Sequence, residues 1–302
     1  MDRFDKTLSD LKSLKIQGAE AVARESVKAL DLVMHNSKAI RSRDLIKEIN
    51  SAKDKLIATR PTEPCMRNAL MHIILGLSPL EDIITITKKV DEKVNLALEH
   101  FRNAESQIKR FGSEKIKNGT VVFTHCHSST VINILIEAKK AGKRFEVHNT
   151  ETRPLFQGRK TATELSSAGI KVEHYVDSAA RLAIKKADIC FFGADAIQSD
   201  GSIINKIGTE LFCEIANRYE IPIYFCTDSW KFDPKSIYGI DEPIENRNAE
   251  EVWNNAPKRV RINNPAFEKV DPNKPTGIIS EFGIYRPEVF VEEVKRAYPW
   301  LI

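Results

Sequence analysis

The sequence predicts an α/β protein in two parts, an N-terminal helical domain over residues 1–112 and a parallel-sheet domain over residues 113–302. Three observations carry this. Apolar residues recur at helical spacing through the first third, short β-branched runs alternate with helical stretches after Gly112, and each of those runs ends in a polar cluster. At 302 residues the chain can bury a substantial core in each part.

In the first third the apolar positions are Leu8, Leu11 and Leu14, then Val22, Val27, Leu30 and Val33, then Leu45, Ile49 and Leu56, with no β-alternating run between them. From about Leu80 to Phe111, Val90, Val94, Leu98 and Phe101 fall three or four apart and predict one extended helix. The expectation for this region is a helical bundle. After Gly112 the candidate strands are residues 120–124, 144–149, 171–176, 188–192 and 221–226, separated by helical segments, as crossover helices of a parallel sheet require. Asp200-Gly201 reads as a tight turn, and residues 233–274, rich in Pro and Asn, read as long surface connections with little regular structure.

Composition excludes several classes. Apolar residues make up 42% and charged residues 29%, which is ordinary for a globular chain. A net charge of +4 suits a small anionic ligand and lacks the dense basic patch of a nucleic-acid binder. No stretch has the apolar length of a membrane span and the N-terminal segment has no apolar h-region, so no membrane association and a cytoplasmic location are expected. Five cysteines without CxxC spacing indicate reduced thiols, neither a disulfide framework nor a zinc ribbon. No G-x-G-x-x-G follows any strand, which argues against a dinucleotide-dependent dehydrogenase.

In an open parallel sheet, ligands bind beyond the carboxyl ends of the strands. Here those ends carry His125-Cys126-His127-Ser128, Glu151-Thr152-Arg153-Pro154, Asp177-Ser178, Gly193-Ala194-Asp195 and Thr227-Asp228-Ser229, whereas the amino ends carry plain linkers such as Ala141-Gly142-Lys143. Asp177-Ser178, ahead of a helical run, reads as a helix N-cap in preference to a reactive group. His125 and His127 flank Cys126 and point away from it in an extended chain, a poor metal cage, and no metal or cofactor is expected. Cys65, Cys190, Cys213 and Cys226 sit in apolar or helical stretches and read as core. Cys126 stands just before a helix start, where the helix dipole favours thiolate; it is either a proton-transferring thiol or a buried loop thiol. Asp195, at the tip of an apolar strand, is either an acid or a capping loop carboxylate. Asn205-Lys206-Ile207-Gly208-Thr209 leads into a helix and reads as an anion site or as an ordinary cap with a solvated lysine.

Taken together, residues 124–129 (THCHSS), 151–165 (ETRPLFQGRKTATEL), 176–180 (VDSAA), 193–209 (GADAIQSDGSIINKIGT), 264–268 (NPAFE) and 277–284 (GIISEFGI) resemble the family that unites sugar-1-phosphate aldose-ketose isomerases with the alpha, beta and delta subunits of initiation factor 2B. The resemblance covers nearly the whole chain. It implies a helical N-terminal domain on a Rossmann-like domain with the site between them, and a phosphorylated sugar substrate. It implies that Asp195 assists ring opening as general acid and that Cys126 transfers the carbon-2 proton through an enediol-type intermediate, a pairing that the family's regulatory subunits generally lack. Phosphate binding carries over onto Gln17, Gly18, Ala19 and Arg60 of the helical domain and onto Arg153, Gln157, Asn205, Lys206 and Lys231 of the other. The chain departs from the pattern at Gln17, where family isomerases usually carry Arg; a neutral amide supplies less charge to a phosphate.

Length and the compact N-terminal region resemble the archaeal ribose-1,5-bisphosphate isomerase branch more than methylthioribose-1-phosphate isomerases. The competing expectation is a non-catalytic regulatory subunit that contacts initiation factor 2. The resemblance further implies a homo-oligomer, a dimer or a hexamer built as a trimer of dimers.

Overall fold

The computed structural model describes residues 3–241 and 243–302; Met1 and Asp2 of the N-terminal segment and Glu242 of the long connection lie outside them. The chain divides into two compact units, residues 1–104 with Leu301 and residues 105–300 with Ile302. Among the described residues no helix is long and apolar enough to cross a membrane.

The first unit is built from α1 (Arg3–Lys12), α2 (Ala19–Asn36), α3 (Ser42–Ile57), α4 (Pro64–Ile74) and most of α5 (Ile83–Glu114), a single long helix as the apolar spacing predicts. The second helix, α2, packs against α1, α3 and α4. Its inward stripe of Val22, Ala23, Val27 and Leu30 is wholly buried, as are Leu11, Ile49 and Leu56 of its neighbours. Burying each larger side chain is worth about 1.5–3 kcal/mol, and this term holds a bundle of helices whose outer faces are polar. Pro64 stands at the first turn of α4, where its missing N–H costs nothing.

The second unit carries a seven-stranded sheet in the order β10-β9-β7-β4-β1-β2-β3. The five expected strands are β1 (Val121–Thr124), β2 (Glu146–Thr150), β3 (Lys171–Tyr175), β4 (Ile189–Phe192) and β7 (Ile223–Cys226), all in parallel register with their neighbours. β9 (Gly277–Ser280) adds a further parallel strand, and β10 (Gly283–Tyr285) closes that edge antiparallel. A separate antiparallel sheet, ordered β5-β6-β8, joins β5 (Ala196–Ile197), β6 (Ile203–Lys206) and β8 (Phe267–Val270). The expected irregular stretch over 233–274 contains, besides β8, two short 3-10 turns at Pro234–Tyr238 and Ala249–Glu251 and a bridge between Asn246 and Pro265. The Asp200-Gly201 turn does close the β5–β6 hairpin: Gln198 N–H donates to Ser202 O at 2.9 Å and Gly201 has φ 82°.

The connections explain where a ligand would go. The chain winds β1, α6 (Ser129–Lys140), β2, α7 (Gln157–Ser167), β3 toward one edge, then returns through α8 (Ala180–Ile184) to β4 on the other side of β1 and continues outward through α9 (Thr209–Arg218) and α10 (Pro287–Ala297). α6 packs beside α7 and α8 beside α9. The winding therefore reverses between β1 and β4, and the carboxyl ends of those two strands are where an open parallel sheet is expected to take a ligand. Beneath them lies an aromatic core: Phe123 of β1 meets Phe192 of β4 at 6.0 Å and Phe212 of α9 at 5.6 Å, edge to face, and all three rings are buried.

Candidate functional site

Cys126 follows β1 and Asp195 follows β4, so the two residues stand at the adjacent strand ends where the winding reverses. Cys126 adopts a left-handed conformation, φ 65°, without being glycine. Both of its backbone groups are tied: its N–H donates to Thr152 Oγ1 at 3.0 Å, and its carbonyl accepts from Thr161 Oγ1 at 2.7 Å. Among the five cysteines it alone is half-buried; the other four are buried, as their apolar surroundings predict. Two glycines make room beside it. A Cβ on Gly193 would come within 2.7 Å of Ser128 Oγ, and one on Gly158 would come within 1.8 Å of the Thr150 carbonyl oxygen.

The thiol is not activated in the way its position before α6 suggests. Burial pushes its pKa up to about 11; the Lys206 ammonium and the His127 backbone N–H pull it down by less, and the Asp195 and Asp177 carboxylates push it up again. The helix dipole is outweighed by loss of water. What the thiol's environment does show is convergence: Lys206 of β6, Asp195 and Asp177 all act electrostatically on one sulfur.

The two flanking histidines are structural neighbours of the thiol. His125 is buried and burial lowers its pKa to about 4, so it is neutral at pH 7. Its Nε2–H donates to the Ile207 carbonyl at 2.9 Å, which leaves Nδ1 to accept from Thr150 Oγ1 at 2.6 Å. It ties the β1 loop to the turn that follows Lys206. His127 is half-buried, with burial lowering its pKa; its Nδ1 lies 3.2 Å from Thr161 Oγ1.

Around this centre the remaining candidates of the second unit are placed by hydrogen bonds. Half-buried Asp195 donates its backbone N–H to Ile204 O at 2.9 Å, which joins β4's tip to β6. Lys206 ends β6 with its ammonium 4.6 Å from the Phe267 ring centre. Asn205 is buried and donates to Thr209 Oγ1 at 3.0 Å. Lys231 is buried and donates to the carbonyl of Ala194, next to Asp195, at 2.9 Å. Arg153 is exposed on the loop after β2, stacked over Phe156 at 5.1 Å and donating to Val252 O at 3.1 Å. Gln157 opens α7.

In the first unit, Gln17 is exposed and donates its amide to Leu14 O at 2.7 Å; Gly18, φ 88°, caps α2 without a side chain, and Ala19 begins that helix, buried. Arg60 donates through Nη2 to Glu63 at 2.7 Å, while its buried Nη1 has no hydrogen-bond partner.

Two further readings change. Asp177 does not cap its own helix. It lies in a short 3-10 turn with no side-chain cap bond, and its carboxylate accepts from the N–H groups of Thr152 at 2.8 Å and Arg153 at 2.7 Å instead. The start of α9 is not an open anion site either: Glu268 of β8 accepts from Glu210 N–H at 2.9 Å and from Gly208 and Thr209 N–H as well, so the protein's own carboxylate occupies that helix end. Thr161 and Glu268 are given no role by the sequence reading, and Thr152 and Asp177, placed by it in the strand-end clusters, are given a different one or none. Each works through a contact between segments far apart in the chain.

Metal-ligating side chains gather elsewhere, as Asp31 with His35 and Asp91, and Glu146 with His148 and Glu173. The second group starts at the amino end of β2, away from the carboxyl ends of the strands, and Lys171 pairs with Glu146 there at 2.7 Å.

A thiol that starts protonated, a nearby carboxylate and a cation at one sheet edge form the elements of general acid–base chemistry on an anionic substrate. The chain is similar to known proteins over nearly its whole length. The chain is 34% identical over 303 residues to the ribose 1,5-bisphosphate isomerase of Methanocaldococcus jannaschii, covering 100% of this chain and 97% of the relative. It is likewise 34% identical over 307 residues to the ribose 1,5-bisphosphate isomerase of Thermococcus kodakarensis, covering 97% and 94%. Among solved structures, translation initiation factor eIF-2B of Pyrococcus horikoshii OT3 superposes with a TM-score of 0.84 at 27% identity, covering 96% of this chain and 99% of the other. The family model for the initiation factor 2 subunit family matches residues 15–287, nearly the whole span from α2 to α10, and to that family the chain belongs.

Proposed function

We infer that the protein is an aldose-ketose isomerase that converts ribose 1,5-bisphosphate to ribulose 1,5-bisphosphate. The observation that carries the reading is the placement of Cys126 and Asp195 at adjacent strand ends, coupled electrostatically to each other and to Lys206. Full-length similarity to proteins named ribose 1,5-bisphosphate isomerase supports the choice of substrate.

In this reading the carbon-1–ring-oxygen bond breaks as Asp195 protonates the ring oxygen and the Cys126 thiolate takes the carbon-2 proton, giving an enediol-type intermediate; Cys126 then returns its proton to carbon-1 while Asp195 takes the carbon-2 hydroxyl proton, which leaves the ketose and restores both groups. No electron donor or acceptor is needed, because the hydrogen lost at carbon-2 is regained at carbon-1. Because the thiol starts protonated, its use as a base depends on prior loss of that proton. Lys206, Asn205, Lys231, Arg153 and Gln157 bind phosphate oxygens from the sheet unit, and Gln17, Gly18, Ala19 and Arg60 do so from the helical unit. In this reading the protein is a cytoplasmic homo-oligomer, and light scattering would distinguish a dimer from a hexamer.

A second reading, a regulatory subunit that contacts initiation factor 2, draws on the similarity to the eIF-2B structure and on the neutral Gln17. A coupled assay with ribose 1,5-bisphosphate separates the two. Turnover by the wild type that is lost in Cys126→Ser and Asp195→Asn is the expected result; wild-type turnover no greater than that of either variant leaves the regulatory reading.

A further inference from the structure

Three non-glycine residues on neighbouring loops of the sheet's carboxyl edge are left-handed: Cys126 at φ 65°, Thr152 at φ 62° and Phe156 at φ 56°. Thr152 is β-branched, for which this conformation is a genuine outlier, and it is fully buried. Something must over-determine it. The two oxygens of Asp177 do so, one accepting from Thr152 N–H at 2.8 Å and the other from Arg153 N–H at 2.7 Å, two charge-assisted bonds on consecutive amides. The turn so held aims the Thr152 hydroxyl at the β1 loop, where Oγ1 accepts the Cys126 N–H at 3.0 Å and stands 3.3 Å from His125 Nδ1. The same hydroxyl donates to the Thr150 carbonyl at 3.4 Å, so its hydrogen-bonding capacity is used.

We propose that Asp177 is a positioning residue for Cys126, acting through the left-handed turn at Thr152 and only secondarily through its charge. The carboxylate fixes the turn, the turn fixes a hydroxyl, and the hydroxyl fixes the backbone that carries the thiol. Arg153, the next residue on the same turn, has its backbone N–H held by the same carboxylate. The importance of that placement rests on the isomerase reading, but the placement itself is read on the thiol alone.

The test is the rate of Cys126 carbamidomethylation by iodoacetamide in the folded protein as a function of pH, with the site identified by peptide mass; the other four cysteines are buried. The groups that bear on this thiol are Lys206 from β6, Asp195 from the tip of β4, Asp177 after β3, and the flanking His125 and His127. Thr152→Val removes the hydroxyl without changing charge. It is expected to release the loop, let water reach the sulfur, lower the apparent thiol pKa by about one unit and speed alkylation near pH 8 about tenfold. Asp177→Ala is expected to do the same, Thr152→Ser to stay near wild type, and the double variant to react no faster than either single one, since both act on one path.

If Thr152→Val matches wild type while Asp177→Ala and Asp177→Asn shift together, Asp177 acts by charge alone and the proposal is overturned. Additive effects in the double variant overturn it too. Should Asp177→Ala fail to fold, Asp177→Asn, which keeps one acceptor oxygen, takes its place in the cycle, and the Thr152→Val profile still decides. Absence of isomerase turnover in the wild type would remove the proposed function while leaving these alkylation profiles unchanged.

Discussion

The two edges of the same seven-stranded sheet treat charge in opposite ways. At the amino edge Glu146 and Lys171, paired in register at the starts of β2 and β3, form an ion pair at 2.7 Å; the Lys171 hydrogen bond holds the Glu146 carboxyl below the usual carboxylate range, and Glu146 raises Lys171 in return. At the carboxyl edge burial raises Cys126 and lowers His125, so both favour their neutral forms. The backbone differs in degree, since Cys126, Thr152 and Phe156 take left-handed conformations on the carboxyl-edge loops, against Glu220 in the amino-edge linker before β7. One edge stabilises charges that are already satisfied, and the other holds groups that burial keeps neutral. Perturbed groups and strained backbone at one edge and satisfied pairs at the other mark where chemistry belongs.

The largest effect that would sharpen this contrast is on turnover. Cys126→Ser and Asp195→Asn are each expected to lower kcat/KM on ribose 1,5-bisphosphate about 10³-fold, within the usual range for losing a general acid or base, with little change in thermal midpoint. Next comes Gly158→Ala. Its Cβ would overlap the Thr150 carbonyl, a backbone group that cannot move aside, and a destabilisation of at least about 3 kcal/mol in denaturant unfolding is expected. A Gly158→Ala protein as stable as wild type would show that the carboxyl-edge loop is looser than drawn.

Lys206→Met should lower kcat/KM by roughly tenfold to a hundredfold, as expected for losing a charge-assisted contact. It should also slow Cys126 alkylation at pH 9, because Lys206 is the main group that pulls the thiol's pKa down. Faster alkylation would mean that Lys206 does not face the sulfur. The smallest effect belongs to the amino edge, where Lys171→Met should leave kcat/KM unchanged and barely alter stability, since exposed ion pairs contribute little. Glu146 has a lowered folded pKa, so whatever it adds is present above the ordinary carboxylate range and is lost as pH falls through its folded value. Acid titration of unfolding in wild type and Lys171→Met reads that difference.

Much of this arrangement was legible in the residues. The β-branched runs that became β1, β2, β3, β4 and β7 signalled a parallel sheet, and the polar clusters after them pointed to the carboxyl edge. β6 and β8 escaped notice because INK and FEK are polar and their pairing joins segments some sixty residues apart, a tertiary choice that local propensity does not encode. The left-handed turns escaped because no glycine marks them; a threonine and a cysteine sit there only because Asp177 and Thr152 hold them from distant loops. The direction of the Cys126 shift was misjudged for a related reason. Proximity to a helix start is visible in sequence, whereas the loss of water that overrides it depends on what packs around the loop.

The pH dependence of kcat/KM for wild-type turnover of ribose 1,5-bisphosphate, measured from pH 6 to 10 by the coupled assay, bears on the central claim most directly. Because Asp195 must carry its proton when the Cys126 thiol has lost its own, each gain in thiolate is offset by a loss of the acid, so kcat/KM should stay level over that range while the Cys126 alkylation rate climbs about tenfold per pH unit toward a thiol pKa near 11. A wild-type profile that climbs in step with alkylation, or turnover that survives in Cys126→Ser, would contradict it.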